Sequence, residues 1–160
     1  MTAVVYRPIG VIHTPFITTA GMPIQPRGAP GVLGTVDVFE EFQAGLADLD
    51  GFSHVILLYH LHRASTTKLR VVPFLDTIER GIFATRAPVR PNPIGLSVVR
   101  LRSVSGGTLE VENVDILDGT PLLDIKPYVP DFDCFEVDST GWYASSGRCL
   151  QEGRSDDRFG

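Results

Sequence analysis

Cysteine is scarce in this chain: Cys134 and Cys149 are the only two. They stand too far apart for a Cys-x-x-Cys pair, which argues against zinc binding and dithiol redox chemistry. No apolar run approaches the ~18–20 residues that a membrane-spanning helix needs. The first residues lack the basic start and apolar core of a signal peptide. A cytoplasmic protein without a membrane partner is therefore expected. Phosphate-cradling glycine patterns are missing too: no Gly-x-Gly-x-x-Gly follows a strand, and there is no Walker loop. Nor is there a Gly-x-Ser-x-Gly nucleophile elbow. Positive charge is also in deficit, with a formal net charge of −5. That balance disfavours nonspecific binding to polyanions.

What is present describes one globular domain. The chain has 160 residues, 43% of them hydrophobic, which suits a folded domain of ordinary size. Its charge is unevenly spread. Residues 61–102 carry eight Lys and Arg against two acids, a net +6, while the rest carry six against seventeen, a net −11. A basic middle in an acidic chain can build a local anion site without a surface that adheres to any nucleic acid.

Short apolar runs separated by Gly and Pro clusters predict strands at 4–13, 31–39, 52–62, 70–74, 81–85, 95–104, 108–116 and 121–125. This is the pattern of a mainly β, single-domain protein, a barrel or a sandwich. Ser105-Gly106-Gly107 reads as a hairpin turn. One short helix is expected over Glu41–Leu49, stopped by Gly51, with Leu46 and Leu49 facing inward. Gly141 and Gly147 weaken any helix over 137–150, and residues 151–160 read as a flexible polar tail. The stretch 13–30 holds four prolines and two glycines, and a loop of that length inside a compact domain is usually functional.

Four groups of residues carry candidate chemistry. In Arg86-Ala87-Pro88-Val89-Arg90-Pro91-Asn92-Pro93-Ile94-Gly95-Leu96, three residues precede a proline and are biased to extended backbone. The result is a stiff loop displaying two guanidiniums, which fit carboxylate or phosphate, and an amide that fits an adenine edge. Residues 115–128 gather Asp115, Asp118, Asp124, Lys126 and Tyr128 around an Asp-Gly turn. Acids in such apolar runs tend to be partly buried and to need partners. His54, His60 and His62 are all even-numbered, so on a continuous strand they would share one face. His-x-His is a metal spacing, but no Cys, Asp or Glu lies near in sequence to complete a shell, so no metal is expected. Finally, Gln25 and Arg27 flank Pro26 in the long loop and suit a ligand rim.

Several long motifs then resemble the TsaA-like, or TrmO, family. They run from about Arg7 to Asp131: residues 9–16, Gln25-Pro26, residues 49–54, Gly81–Arg86, Arg90–Gly95, residues 118–121 and residues 124–128. The resemblance implies a small β-barrel that transfers methyl from S-adenosylmethionine to N6 of the threonylcarbamoyl-adenosine beside the tRNA anticodon. It implies a homodimer with the cofactor near the subunit interface. It places the cofactor among Gln25, Pro26, Arg27, His62, Arg63, Arg86 and Leu96, closed by Asn113, Val114, Asp115 and Ile116. The domain would span residues 1–150.

Chemistry adds roles to that outline. The methyl donor is a sulfonium cation, for which Asp115 is the nearest acid. Asp118 or Asp124 would take the proton from the substrate nitrogen. Asn92 would orient the adenine, by resemblance to the Asn-Pro-Pro-aromatic motif of other adenine-N6 methyltransferases. Arg90 and Lys126, with Tyr128 beside them, would hold the threonyl carboxylate or a phosphate. Two departures stand out. Longer family members carry a C-terminal domain thought to help grip tRNA, and residues 103–160 here are acidic, with four basic groups against twelve acids. The alternative is an S-adenosylmethionine-binding module, or a methyltransferase for a small molecule other than tRNA.

Overall fold

A computed structural model describes residues 1–146, 153–156, 158 and 159. Six antiparallel strands close into the expected barrel. They are β1 (Gly10–His13), β2 (Leu33–Val38), β3 (His54–His60), β6 (Ile94–Ser105), β7 (Thr108–Glu112) and β8 (Thr120–Pro127). Around the barrel the order is β1-β2-β7-β6-β3-β8, with β8 returning to β1. A separate two-stranded sheet joins β4 (Arg70–Val71) to β5 (Arg80–Gly81).

Alternation explains the closure. On β3, Val55, Leu57 and Tyr59 are buried while His54, Ile56, Leu58 and His60 face outward. Ile12, Val36, Leu57, Val99, Leu109 and Leu122 fill the barrel from all six strands. A barrel of this size is packed by its own side chains, so any ligand must sit at a rim or on the wall. Gly106, at φ 58, turns β6 into β7 as the Gly-Gly pair predicts.

Where elements differ from expectation, a local cause is visible. β1 begins at Gly10 rather than residue 4, since Pro8 has no N–H for a ladder; Val4, Val5 and Tyr6 lie exposed ahead of it. The predicted helix becomes two 3-10 segments, Glu40–Leu46 and Leu49–Gly51, broken at Asp48 in the left-handed region. Leu46 is nonetheless buried against the barrel and Leu49 packs on it. The strand predicted over 81–85 is mostly a 3-10 turn, Ile82–Ala84, with the Thr85 hydroxyl donating to the Ile82 carbonyl. β7 stops at Glu112, not Ile116, because Asn113 adopts φ 67 and turns the chain off the sheet. Asn tolerates that conformation better than most residues.

The C-terminal region contains α1 (Pro130–Asp133) and a 3-10 turn, Gly141–Ser145. Residues 147–150, the end of the segment whose glycines weaken a helix, lie outside the described residues. In its described part the tail is not free. Phe159 is buried with Val71, Ile82, Ala87 and Val89 in a second apolar cluster. Ser155 takes the Met22 N–H at 2.9 Å, and Arg158 donates to the Pro73 carbonyl at 2.9 Å. Phe159 supplies the apolar anchor that the tail's polar composition concealed.

Candidate functional site

The end of β3, the start of β6, the start of β8 and the segment 113–117 meet at one rim of the barrel. Here a hydrogen-bonded chain runs from the core to a carboxyl group. Ser97 is buried and donates to Asp115 Oδ1 at 2.6 Å. Its hydroxyl has a single proton, so Tyr59 is the donor across the 2.8 Å Tyr59–Ser97 bond. The order is Tyr59 to Ser97 to Asp115. Gly95 makes room for it: a Cβ there would collide with the Tyr59 ring. A register shift between Leu58 and Tyr59, where β3 pairs with β8, adjoins the same ring. Such bulges re-aim side chains at sites.

Burial sets the electrostatics. It raises the Asp115 pKa to about 7, against smaller opposing effects of the Ser97 hydrogen bond and the Arg86 charge. Burial, then the Asp115 charge, pushes the Tyr59 phenol well above its ordinary range, so it stays protonated. His62 is held below its usual value by burial and by Arg63, and is neutral at pH 7. Its Nδ1 lies 3.4 Å from the Thr120 hydroxyl, which gives its own proton to the Leu117 carbonyl at 2.6 Å.

Above this floor opens a cavity of about 820 Å³, near the upper end of the ~300–1,000 Å³ usual for ligand sites. Leu96, Ile116 and Pro88 give apolar wall. Arg86 reaches across to Gln25 Oε1 at 2.9 Å, tying the proline loop to the 13–30 loop. The proline loop is stiff for reasons beyond its prolines. Arg90 donates to the Thr85 and Ala87 carbonyls at 2.9 and 3.2 Å, and Ala87 and Val89 are buried beneath it.

The predicted residues divide in two. Gln25, His62, Arg63, Arg86, Arg90, Leu96, Asp115 and Ile116 line the cavity. Pro26, Arg27, Asn92, Asn113, Val114, Asp118, Asp124, Lys126 and Tyr128 do not. Val114 is buried in the barrel core, and Asn113 accepts the Gly31 N–H at 2.9 Å. Asp118 accepts the Thr14 N–H at 3.0 Å and lies 3.4 Å from His13 Nδ1. Asp124 pairs with Lys126 at 2.8 Å on the outer wall, and Tyr128 packs edge-on to His54 at the opposite rim. Arg27 and Asn92 are exposed. In a single chain, then, the acids expected near the reacting nitrogen point elsewhere. Sequence reasoning missed Tyr59, Ser97, Thr120 and Trp142. A polar residue on the inward face of an apolar strand, as at Ser97, is the signal that could have found the chain to Asp115. Among the described residues no group of three or more His, Cys, Asp or Glu is placed to hold a metal ion. No helix among them is long and apolar enough to cross a membrane.

Comparison with known proteins points the same way. The model of the tRNA-methyltransferase O N-terminal domain matches residues 11–134. A probable S-adenosyl-L-methionine-binding protein of Pyrococcus abyssi is 54% identical over 154 residues, 96% of this chain and 84% of that protein. The crystal structure of TrmO from Pseudomonas aeruginosa superposes with a TM-score of 0.76 at 40% identity, over 88% of this chain and 63% of that one. A mouse tRNA (adenine(37)-N6)-methyltransferase is 36% identical over 133 residues, 79% of this chain and 31% of its own length. The chain thus spans less than two thirds of the last two.

Proposed function

The chain belongs to the tRNA-methyltransferase O N-terminal domain family, and from that premise we propose that it methylates N6 of threonylcarbamoyl-adenosine beside the tRNA anticodon. It takes S-adenosylmethionine as its cofactor. The observation that carries the reading is the cavity's charge arrangement: of its two carboxyls Asp156 is paired with Arg158, while Asp115 at the floor has no ion-pair partner among the described residues, and arginines stand at the walls. The donor set fits the cofactor. A carboxylate suits its cation, the Leu96 and Ile116 wall suits its adenosyl group, and Arg86 suits its carboxylate.

S-Adenosylmethionine supplies an electrophilic methyl group and is left as a neutral thioether. Asp115, as the carboxylate, favours the cationic ligand in a site that water screens poorly. With a pKa of about 7, the same group can receive the proton that the substrate nitrogen loses, near the optimum for a general base at neutral pH. Ser97 and Tyr59 hold the carboxyl in place. Arg86 and the proline loop fix the wall, and alignment of this kind contributes much of the rate in a displacement. Asn92, at the exposed turn of the same loop, contacts the substrate base. The enzyme works in the cytoplasm as a homodimer, which would cover the outward row of Ile94 and Leu96, 43% and 45% exposed beside the cavity.

Nucleoside mass spectrometry after incubation with tRNA and S-adenosylmethionine tests the reaction. A new methylated threonylcarbamoyl-adenosine is expected, and an unchanged nucleoside profile would sink the tRNA reading. The acidic balance of the chain favours one second reading, a cofactor-binding module or small-molecule methyltransferase. That reading expects cofactor binding by calorimetry with no RNA shift at low salt, where electrostatic binding is strongest.

A further inference from the structure

The cavity is also lined by three aromatic side chains that the cofactor roles above do not use: Phe83, Trp142 and Tyr143. Phe83 is 75% exposed and Tyr143 is 41% exposed. Large rings left open at a cavity mouth point to a ligand. Trp142 lies beyond residues 11–134, the part matched by the family model, so the shared domain does not supply it. It is nevertheless fixed in orientation. Its indole N–H donates to the Ala84 carbonyl at 2.7 Å, next to Phe83. Tyr143 meets it edge-on, with ring centroids 6.2 Å apart at 76°. The Arg80 guanidinium stands 6.0 Å from its ring, itself held by Asp76 at 2.7 Å.

Charge identifies the ligand. Arg63 and Arg90 line the same cavity and have no cofactor role above; among the described residues neither has a carboxylate partner, and Arg90 gives Nη1 to the Thr85 and Ala87 carbonyls. Arg70, Arg80, Arg102 and Arg158 are each ion-paired. Guanidiniums without a carboxylate partner and exposed aromatic rings lining one cavity are complementary to a single-stranded polynucleotide: rings stack on bases and arginines meet phosphates.

We propose that Trp142, with Phe83 and Tyr143, forms a stacking platform for an unpaired base of the RNA substrate, at the mouth of the cavity and separate from the cofactor. This rests on the tRNA reading above. The 3-10 turn Gly141–Ser145 thereby contributes an RNA contact from outside the barrel.

The chain has one tryptophan, so its fluorescence reports on Trp142 alone. The protein is saturated with S-adenosylhomocysteine and then titrated with an anticodon stem-loop RNA carrying threonylcarbamoyl-adenosine. Quenching is expected on adding RNA and not on adding the cofactor product. Trp142→Ala should weaken RNA binding on the order of tenfold and leave cofactor affinity by calorimetry unchanged, while Trp142→Phe restores most of the loss. Quenching by S-adenosylhomocysteine alone, with weaker cofactor binding in Trp142→Ala, would assign the ring to the cofactor and overturn the proposal. RNA that binds and is methylated without any fluorescence change would overturn the platform and leave the tRNA reading standing. RNA that neither binds nor is methylated would overturn both. The fluorescence arm uses the unaltered protein, so a variant that fails to fold does not blunt it.

Discussion

Asp115 is the residue on which most of the chemistry turns, and its protonation makes two measurable demands. Its pKa is raised from 3.8 to about 7, so the folded state binds a proton that the unfolded chain has released. Its favourable contribution is complete below about pH 4 and is lost as pH rises through 7. The wild-type melting temperature should therefore fall relative to Asp115→Asn between pH 5 and pH 8, by the equivalent of up to about 3 kcal/mol, since about two units of the shift lie in that window at 1.36 kcal/mol per unit. Parallel melting curves for the two proteins would remove Asp115 from the buried site. A cationic ligand reverses the preference. Affinity for S-adenosylmethionine should rise with pH up to about 7 and then level off, and Asp115→Asn should flatten that profile in calorimetry. Arg86→Ala should weaken cofactor binding itself, since it removes a wall charge and frees Gln25. Asn92→Ala should lower kcat more than cofactor affinity, because its partner is the substrate. The opposite split would exchange the two roles.

At the scale of elements, one strand and one loop hold the site. β6 carries both Gly95, under the Tyr59 ring, and Ser97, two residues on and on the same face. Gly95→Ala should displace that ring and destabilise the fold by about 1–3 kcal/mol, read by thermal or denaturant melting. It should also blunt the pH dependence of cofactor binding, which loss of stability alone would not do. Much of this level was legible in the chain. Alternation on β3 and the Gly106 turn follow from residue type and spacing. The stiffness of the proline loop was legible as well, but not its fastening: Arg90 read as an anion ligand and spends Nη1 on its own loop's carbonyls. A side chain's return to its own backbone depends on where the loop folds, which spacing does not report.

For the whole molecule, the relevant contrast is between a basic middle and an acidic remainder. If RNA meets the unpaired arginines of the cavity, tRNA binding should weaken steeply as salt rises, while affinity for S-adenosylmethionine changes far less. Filter binding and calorimetry across a salt series would show this, and a flat RNA response would count against arginine contacts. By itself the sequence determined the kind of fold and the segments around the site. Period-two alternation and turn glycines are local properties that specify a mainly β protein; closure of the sheet into a barrel, rather than a sandwich, is a tertiary outcome. Only tertiary structure decided which acid faces the cavity. Asp115, Asp118 and Asp124 are equivalent in composition, but the left-handed turn at Asn113 carries Asp115 to the floor and β8 leaves Asp124 on the outer wall. Tertiary structure also brought Trp142 to Ala84 across 58 residues of chain, and buried Phe159 from a tail whose composition reads as solvent-exposed. Contacts of that range depend on how the chain closes on itself, and no local pattern encodes them.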